Sequence, residues 1–402
     1  MGMKSRWVLV LLAVAPTVLW NSCMGSNSAP PNTSFMWVAT QGDQMVRAYT
    51  ISQTNGAINP IGANGSAVAT GVQPTAMIIA PGSNSMFIVN AGGTVTAYTV
   101  NRNGTLTVAG AAVNTGGSTP VALAADPAGK FLFVANQGTS SDVASGTISV
   151  FMIQGTALTP VGNPVSTAIT GQVGGSGPSA LAVSPVGSYL YVANQFSNNV
   201  EEFTFDSTGA LTFQNSYTAG INPSSLAFSR CAGVASNAAT ATCTVADDNN
   251  LFVSNSGSNN LSIFSACIQV SASCSVPNGT LTEIPSGSPV AAGVGPATVL
   301  VDRTSDFIYA VDRGSSGVSE YQYSPATGVL SPLGAGSGGA SVFSGGITAN
   351  IANNTTTFNW IVLTNNGSSS LSPFKVAVTG RLTAPNSGQF AVQGQPSAIL
   401  LK

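Results

Sequence analysis

The amino-acid sequence predicts an all-β protein, a seven-bladed β-propeller with four antiparallel strands in each blade, on three observations. First, one phrase recurs seven times: an aromatic residue near the end of an apolar run, a turn closed by glycine, then a leucine or isoleucine. The aromatics are Tyr49, Tyr98, Phe151, Phe203, Phe264, Tyr321 and Phe374, and the glycines are Gly56, Gly104, Gly155, Gly209, Gly279, Gly328 and Gly380. A unit of about fifty residues cannot bury its own apolar faces and has to stack on its neighbours. Second, charged residues make up only 6% of the chain while Gly, Ser, Thr and Asn abound, which suits short strands and tight turns rather than amphipathic helices. Third, the chain opens on the second strand of a unit near Phe35 and finishes on an orphan first strand, Pro396 to Lys402. Joined, the two ends complete one blade and remove two open edges.

Taken strand by strand, each unit starts with Pro74, Pro120, Pro178, Pro223, Pro296, Gly346 or Pro396, and proline at a strand start forfeits no ladder bond. Two positions on come small residues, Ala76, Ala122, Ala180, Ser225, Thr298, Thr348 and Ala398, followed mostly by large ones such as Met77, Leu123, Leu181, Leu226 and Ile399. Neighbours on a strand point to opposite faces, so the bulky face of one blade is expected against the small face of the next. The second run, as in Leu132-Phe133-Val134-Ala135, is apolar throughout and reads as a strand covered on both sides. The third carries the recurring aromatic. The fourth follows the glycine turn with Ile58, Leu106, Leu158, Leu211, Leu281, Leu330 or Leu382.

Lys4 and Arg6 precede an apolar run from Trp7 to Trp20, broken by Pro16 and ending at Asn21, Ser22 and Cys23. The run is too short for a membrane span, which needs about 20 apolar residues, and reads as an export signal. The expected organisation is a signal peptide over 1–22, a flexible Ser, Asn and Pro-rich tether over 23–34, and one propeller over 35–402. Cys231, Cys243, Cys267 and Cys274 all fall in the fifth unit. Export makes disulfides the expected state, and proximity favours Cys231 with Cys243 and Cys267 with Cys274. A four-cysteine zinc site is the alternative, though no pair has the usual two-to-four residue spacing. The formal net charge of −2 leaves no basic stripe for phosphates, so nucleic acid is not an expected partner.

The proline-led strand, the aromatic-Val-Ala-Asn strand, the aromatic third strand and the Thr/Asn-Gly-x-Leu turn together resemble the lactonase family of seven-bladed propellers. That family includes 6-phosphogluconolactonase-like proteins, and the pattern is similar to YVTN-type surface propellers as well. The leader resembles that of a bacterial lipoprotein, with Cys23 as the lipidated first residue of the mature chain, although Trp20 and Asn21 depart from the usual leucine and small residue. The resemblance implies a periplasmic or outer-surface protein anchored to a membrane by lipid. Family members that act on lactones are expected to use His, Arg and Glu around the central channel. This chain contains no histidine, the commonest general base near neutral pH, and no family catalytic residue can be carried onto it.

Each second strand ends in a polar residue: Thr40, Asn90, Asn136, Asn194, Asn255, Asp312 and Thr364, with Gln41, Gln137, Gln195 and Arg313 alongside. Such residues commonly end strands by bonding nearby backbone. The functional reading is a ring of amides with one Asp-Arg pair, a ligand site made of Asn90, Asn136, Asn194, Asn255, Asp312 and Arg313, in which the guanidinium recognises a carboxylate. Calcium is weighed against the single carboxylate of that ring, and neither metal nor other cofactor is expected. Glu201 and Glu202 lie on opposite faces of one strand, so they cannot act as a pair, and they read as solvated surface, as do Asp247 and Asp248. The preferred function is an exported, lipid-anchored, monomeric module that binds a small carbohydrate or protein ligand through one face without catalysis. The alternatives are a sugar-lactone hydrolase using Asp312, Arg313 and Glu320 or Asp302, and a structural surface protein.

Overall fold

Seven antiparallel sheets, each built on a path of four strands and five of them with a further two-residue strand paired to the third, follow one another along the chain. The computed structural model describes residues 33–168, 175–229, 249–270, 274–302, 306–334, 347–353, 360–385 and 388–402. The leader, the tether up to residue 32, Cys23, Cys231, Cys243, Asp247 and Asp248 therefore lie outside the described residues. Blade 2 shows the pattern. Its innermost strand, Pro74–Ile79, pairs with Ser85–Asn90, then comes Thr94–Val100, then the outer Leu106–Val108. Blades 3 to 7 repeat this order, with innermost strands Pro120–Ala125, Pro178–Val183, Pro223–Phe228, Pro296–Val301 and Ile347–Asn353.

Blade 1 is shared between the chain ends. Pro396–Leu401 is its innermost strand and pairs with Thr33–Thr40, which pairs with Met45–Ser52 and then Ile58–Pro60. Phe35 and Lys402 exchange a reciprocal pair of backbone hydrogen bonds of 3.1 and 2.9 Å. The strand includes Thr33 and Ser34 ahead of Phe35. The seven innermost strands contact one another in a closed ring about the central channel, each touching its predecessor and its successor.

The blades are held face to face by the small-on-large arrangement. Ala398 of blade 1 packs with Met77 of blade 2, and Ala76 of blade 2 packs with Leu123 of blade 3. Apart from their first residues Thr33 and Phe307, the second strands are buried along their whole length, with Trp37, Phe87, Phe133, Tyr191, Phe252 and Tyr309 sealed between blades. Each such side chain contributes about 1.5–3 kcal/mol by leaving water. Where the aromatic carries a donor, the donor crosses the interface to the next blade's glycine turn. Trp37 Nε1 donates to Gly104 O at 2.8 Å, Tyr191 Oη to Gly279 O at 2.5 Å and Tyr309 Oη to Gly380 O at 2.7 Å. The recurring glycine has a steric reason as well as a conformational one. A Cβ on Gly104 would lie 2.5 Å from Phe35, and Gly104 adopts φ +83°.

A second inter-blade link lies beside the channel. A bulge follows each innermost proline, and where the next residue carries a hydroxyl, as Thr75, Ser179, Ser224 and Ser397 do, that hydroxyl reaches a backbone carbonyl of the next blade. Ser397 Oγ donates to Pro74 O at 2.6 Å, Ser179 Oγ to Pro223 O at 2.6 Å and Ser224 Oγ to Pro296 O at 2.9 Å.

Candidate functional site

The polar residues that end the second strands are buried rather than displayed. Thr40, Asn90, Asn136, Asn194 and Asn255 have no exposed surface, and Asp312 has 1%. The seventh member of this set is Asn365, not Thr364. Asn365 pairs with Ser370 in the register in which Asn90 pairs with Thr94 and Asn255 with Asn260. The side-chain amides are spent inside the blades. Asn90 Nδ2 donates to Thr96 Oγ1 at 3.0 Å, Asn136 Nδ2 to Ser149 Oγ at 2.8 Å, Asn255 Nδ2 to Ser262 Oγ at 3.0 Å and Asn365 Nδ2 to Ser372 Oγ at 2.7 Å. In two of the four the opposite oxygen accepts from the linker that enters the blade, from Gly71 N to Asn90 and from Gly220 N to Asn255, both at 3.1 Å, whereas the oxygens of Asn136 and Asn365 have no hydrogen-bond partner. A Cβ on either glycine would fall within 2.6 Å of the asparagine, which accounts for Gly-x-x-Pro in those linkers.

Two places in the ring hold a buried carboxyl, Asp312 itself and Glu201 beside Asn194. Asp312 Oδ2 accepts from Ser319 Oγ at 2.7 Å while Oδ1 has no partner, and burial pushes its carboxyl up to about 7. In blade 4 the usual serine is Glu201, which has no exposed surface and no hydrogen bond of good geometry to either oxygen. Asn194, beside it, also lacks partners on both side-chain atoms. Gly175, the linker glycine that would serve Asn194, instead packs against the backbone of Thr139 and Asp142. Burial raises Glu201 to about 8, and the nearby amides of Asn194 and Asn199 oppose that rise only in part. Glu202, on the other face, is equally buried and accepts from Tyr217 Oη at 2.6 Å. Burial raises its pKa as well. The expectation of solvated surface for this pair is thus corrected: a strand sandwiched between blades offers neither face to water.

The residues proposed for hydrolysis do not converge. Pro296 pairs with Asp312, so Asp302, beyond the far end of that innermost strand, lies on the opposite face of the propeller. It caps the turn there by accepting from Phe307 N at 2.9 Å. Six residues of strand separate the two carboxylates by about 20 Å. Ser319 and Glu320 are consecutive on one strand, which sends Glu320 to the sheet face opposite Asp312. There it pairs with Arg381 Nε at 3.2 Å and accepts from Leu382 N at 3.1 Å.

What reaches the channel mouth is the next residue in each repeat. Gln41 N donates to Gln395 O, Ala91 N to Gln73 O, Gln137 N to Thr119 O, Gln195 N to Gly177 O, Ser256 N to Asn222 O and Arg313 N to Gly295 O, at 2.8–3.0 Å. These bonds fix each of the six over the start of its innermost strand. Side chains then lean across to the following blade, with Gln41 Nε2 at 3.4 Å from Pro74 O and Asn366 Nδ2 at 3.3 Å from Pro396 O. Gln41, Gln137, Gln195 and Asn366 are partly exposed and Arg313 is exposed. Asn366 was not anticipated, because placing the end of the seventh second strand at Thr364 shifts that repeat by one residue. The spacing from Asn365 to Ser372, matching Asn255 to Ser262, was the available signal.

On the same face, Asp43 is engaged by Arg47 and Thr40, and the Arg47 guanidinium helps hold its carboxyl below the usual range against the opposing effect of burial. The innermost strands of the seven blades carry no Asp, Glu, Lys or Arg. In the disulfide region, Cys267 and Cys274 are bonded, with Cα atoms 5.2 Å apart. They sit in the turn between the third and outer strands of blade 5, at the end of the blade away from the mouth.

The family model described as Lactonase, 7-bladed beta-propeller matches residues 35–167, 147–228 and 174–335. The chain belongs to this lactonase family. No curated protein matches it in sequence. Among solved structures it is similar to the periplasmic gluconolactonase PpgL of Pseudomonas aeruginosa, with a TM-score of 0.72 and 18% identity over 92% of this chain and 99% of that one. It is also similar to a Bacteroides uniformis protein provisionally named a 6-phosphogluconolactonase, with a TM-score of 0.71 and 17% identity over 92% and 100%. A Bacteroides fragilis protein with the same provisional name gives 0.70 and 18% over 92% and 98%. At these identities the likeness to the solved lactonase-family propellers speaks for the fold.

Proposed function

We propose that this lactonase-family propeller is an exported binding module that holds a small carboxylate- or hydroxyl-bearing ligand at the channel mouth. The amides of Gln41, Gln137, Gln195 and Asn366 supply donors and acceptors, and Arg313 supplies a bidentate contact for a carboxylate. The observation that carries the reading is the separation of chemistry from access. The carboxyls with raised pKa, Glu201, Glu202 and Asp312, are sealed between blades, while the described residues of the mouth face offer amides, the Arg313 guanidinium and one carboxylate, Asp43, that Arg47 and Thr40 already engage. A hydrolase needs a base within reach of an attacking water. In this reading the chain is anchored through a lipid on Cys23, and Cys23→Ser abolishes incorporation of labelled palmitate.

The test is titration of the mature protein with gluconate, together with a turnover assay on glucono-δ-lactone corrected for spontaneous opening. Gluconate binds, Arg313→Ala weakens it by roughly 10- to 100-fold as expected for a charge-assisted contact, and the melting temperature is unchanged because Arg313 is exposed. Lactone opening stays at background. Turnover that disappears with Arg313→Ala would overturn the binding reading in favour of the hydrolase suggested by the name of the Pseudomonas protein.

A further inference from the structure

We infer that the ligand held at the mouth is amphipathic, a monocarboxylate with an apolar body, seated on an arc spanning blades 4 to 6. This deepens the binding reading and rests on it. Two residues before each innermost proline the chain has Val72, Ser118, Ser176, Ile221, Val294 and Gly394. The two large apolar residues at adjacent junctions, Ile221 and Val294, are 56% and 55% exposed. Neither is left out of the core by accident of a long loop. Each is pinned at the rim by backbone bonds, Gly257 N to Ile221 O at 2.9 Å and Gly314 N to Val294 O at 2.8 Å.

These contacts make the arc continuous. Ile221 covers Gly257 in the blade 5 turn, where a Cβ would meet Ile221 Cγ2 at 2.7 Å. Asn259 of the same turn accepts from Gly295 N at 2.8 Å, which fixes the linker carrying Val294. Val294 in turn covers Gly314, where a Cβ would meet Cγ1 at 2.6 Å, and Gly314 follows Arg313 directly. The turns and linkers of this arc, 195–198, 219–222, 256–259, 292–295 and 313–316, contain no acidic residue and one basic residue, Arg313. The surface therefore offers apolar contact ending in a positive charge, and its complement is an aliphatic or aryl carboxylate. The equivalent Val72, entering blade 2, is 54% exposed but stands between Gly394 and Ser118, and Ser176 enters blade 4, so Ile221 and Val294 are the pair of large apolar residues at adjacent described junctions.

Ligand-observed NMR titrations of the mature chain with hexanoate, 1-hexanol and gluconate test the inference. Hexanoate is expected to bind about tenfold more tightly than gluconate, the effect of two to three methylene-sized contacts reduced by incomplete burial, and 1-hexanol more weakly than hexanoate. The pair Ile221→Ser with Val294→Ser removes the hexanoate preference and leaves gluconate unchanged, whereas Arg313→Ala weakens both carboxylates. If the double variant is unstable, the isosteric Val294→Thr alone is expected to lose at least half of the preference on a logarithmic scale. Gluconate binding as tightly as hexanoate, or a preference that survives the serine or threonine substitutions, overturns the apolar arc while leaving the mouth as a binding site. Failure of both carboxylates to bind overturns the site itself.

Discussion

Glu201 provides the sharpest physical test of how the blades are packed. Its carboxyl has no exposed surface, no partner of good geometry and a folded pKa of about 8 against an ordinary 4.5. Because the folded value is raised, the native state keeps a proton that the unfolded chain releases. The stabilising contribution is therefore complete below about pH 4.5 and is lost as pH rises through about 8. At 1.36 kcal/mol per pKa unit, the 3.5-unit gap corresponds to a ceiling of about 5 kcal/mol, of which about 3 kcal/mol is lost between about pH 5 and pH 8. Glu201→Gln replaces the titrating group with a neutral one of the same shape. Urea unfolding followed by tryptophan fluorescence, run on both proteins across that range, isolates the effect, since Asp312 titrates in both and cancels. The wild-type curve should fall relative to the variant by about 3 kcal/mol, with the variant the more stable at the alkaline end. Parallel curves would show that Glu201 is solvated or paired in solution, and the account of a sealed blade 3–4 interface would fail with them.

Other perturbations have equally direct readouts. Deleting residues 396–402 removes the innermost strand of blade 1 and leaves Thr33–Thr40 with an open edge, so the product should lose cooperative melting altogether. Gly279→Ala would place Cβ 2.1 Å from Glu202 Oε1 and 2.4 Å from Tyr189 Cδ1, at φ +83°. It should cost about 2 kcal/mol or more beyond the backbone strain alone. Gly110→Ala, at φ +81° with nothing within 4 Å, supplies that strain as the control, about 1 kcal/mol by thermal melting. Replacing Cys267 and Cys274 together by serine opens a loop of sequence separation 7 and should lower stability by about 2.5 kcal/mol in chain-entropy terms. An unchanged unfolding midpoint would show that the inserted turn contributes little to holding blade 5.

The architecture was legible because it is written in repeats. Tyr98 and Tyr321 recur at the same place and do the same thing, each sending its hydroxyl to the preceding blade at Ala69 O and Ala291 O, 2.6 and 2.8 Å away. The glycine turn and the small-large alternation are likewise local signatures of inter-blade contacts, so periodicity alone recovers them. The site was legible only to within one residue. Asn136 and Gln137 are consecutive residues of similar chemistry, yet the first is buried against Ser149 of the third strand and the second is partly exposed at the mouth. Nothing in polarity separates them; the distinction depends on which residue the incoming linker bonds. Glu201 was misjudged for the complementary reason. A charge normally marks a solvated face, and only its register opposite Val192 reveals that it stands in the row of buried serines.

The two ends of the described chain meet in blade 1, and their direction has a consequence for presentation. Thr33–Thr40 runs toward the mouth and ends there, and Pro396–Leu401 runs away from it. Phe35 and Lys402 accordingly lie together at the far side, which also carries the Cys267–Cys274 turn. The first described strand thus starts on the side of blade 1 opposite the amide-lined opening, the side from which the lipid anchor proposed for Cys23 would hold the protein. Under the proposed anchor, the disulfide-bearing side would face the lipid and the amide-lined opening would face away from it.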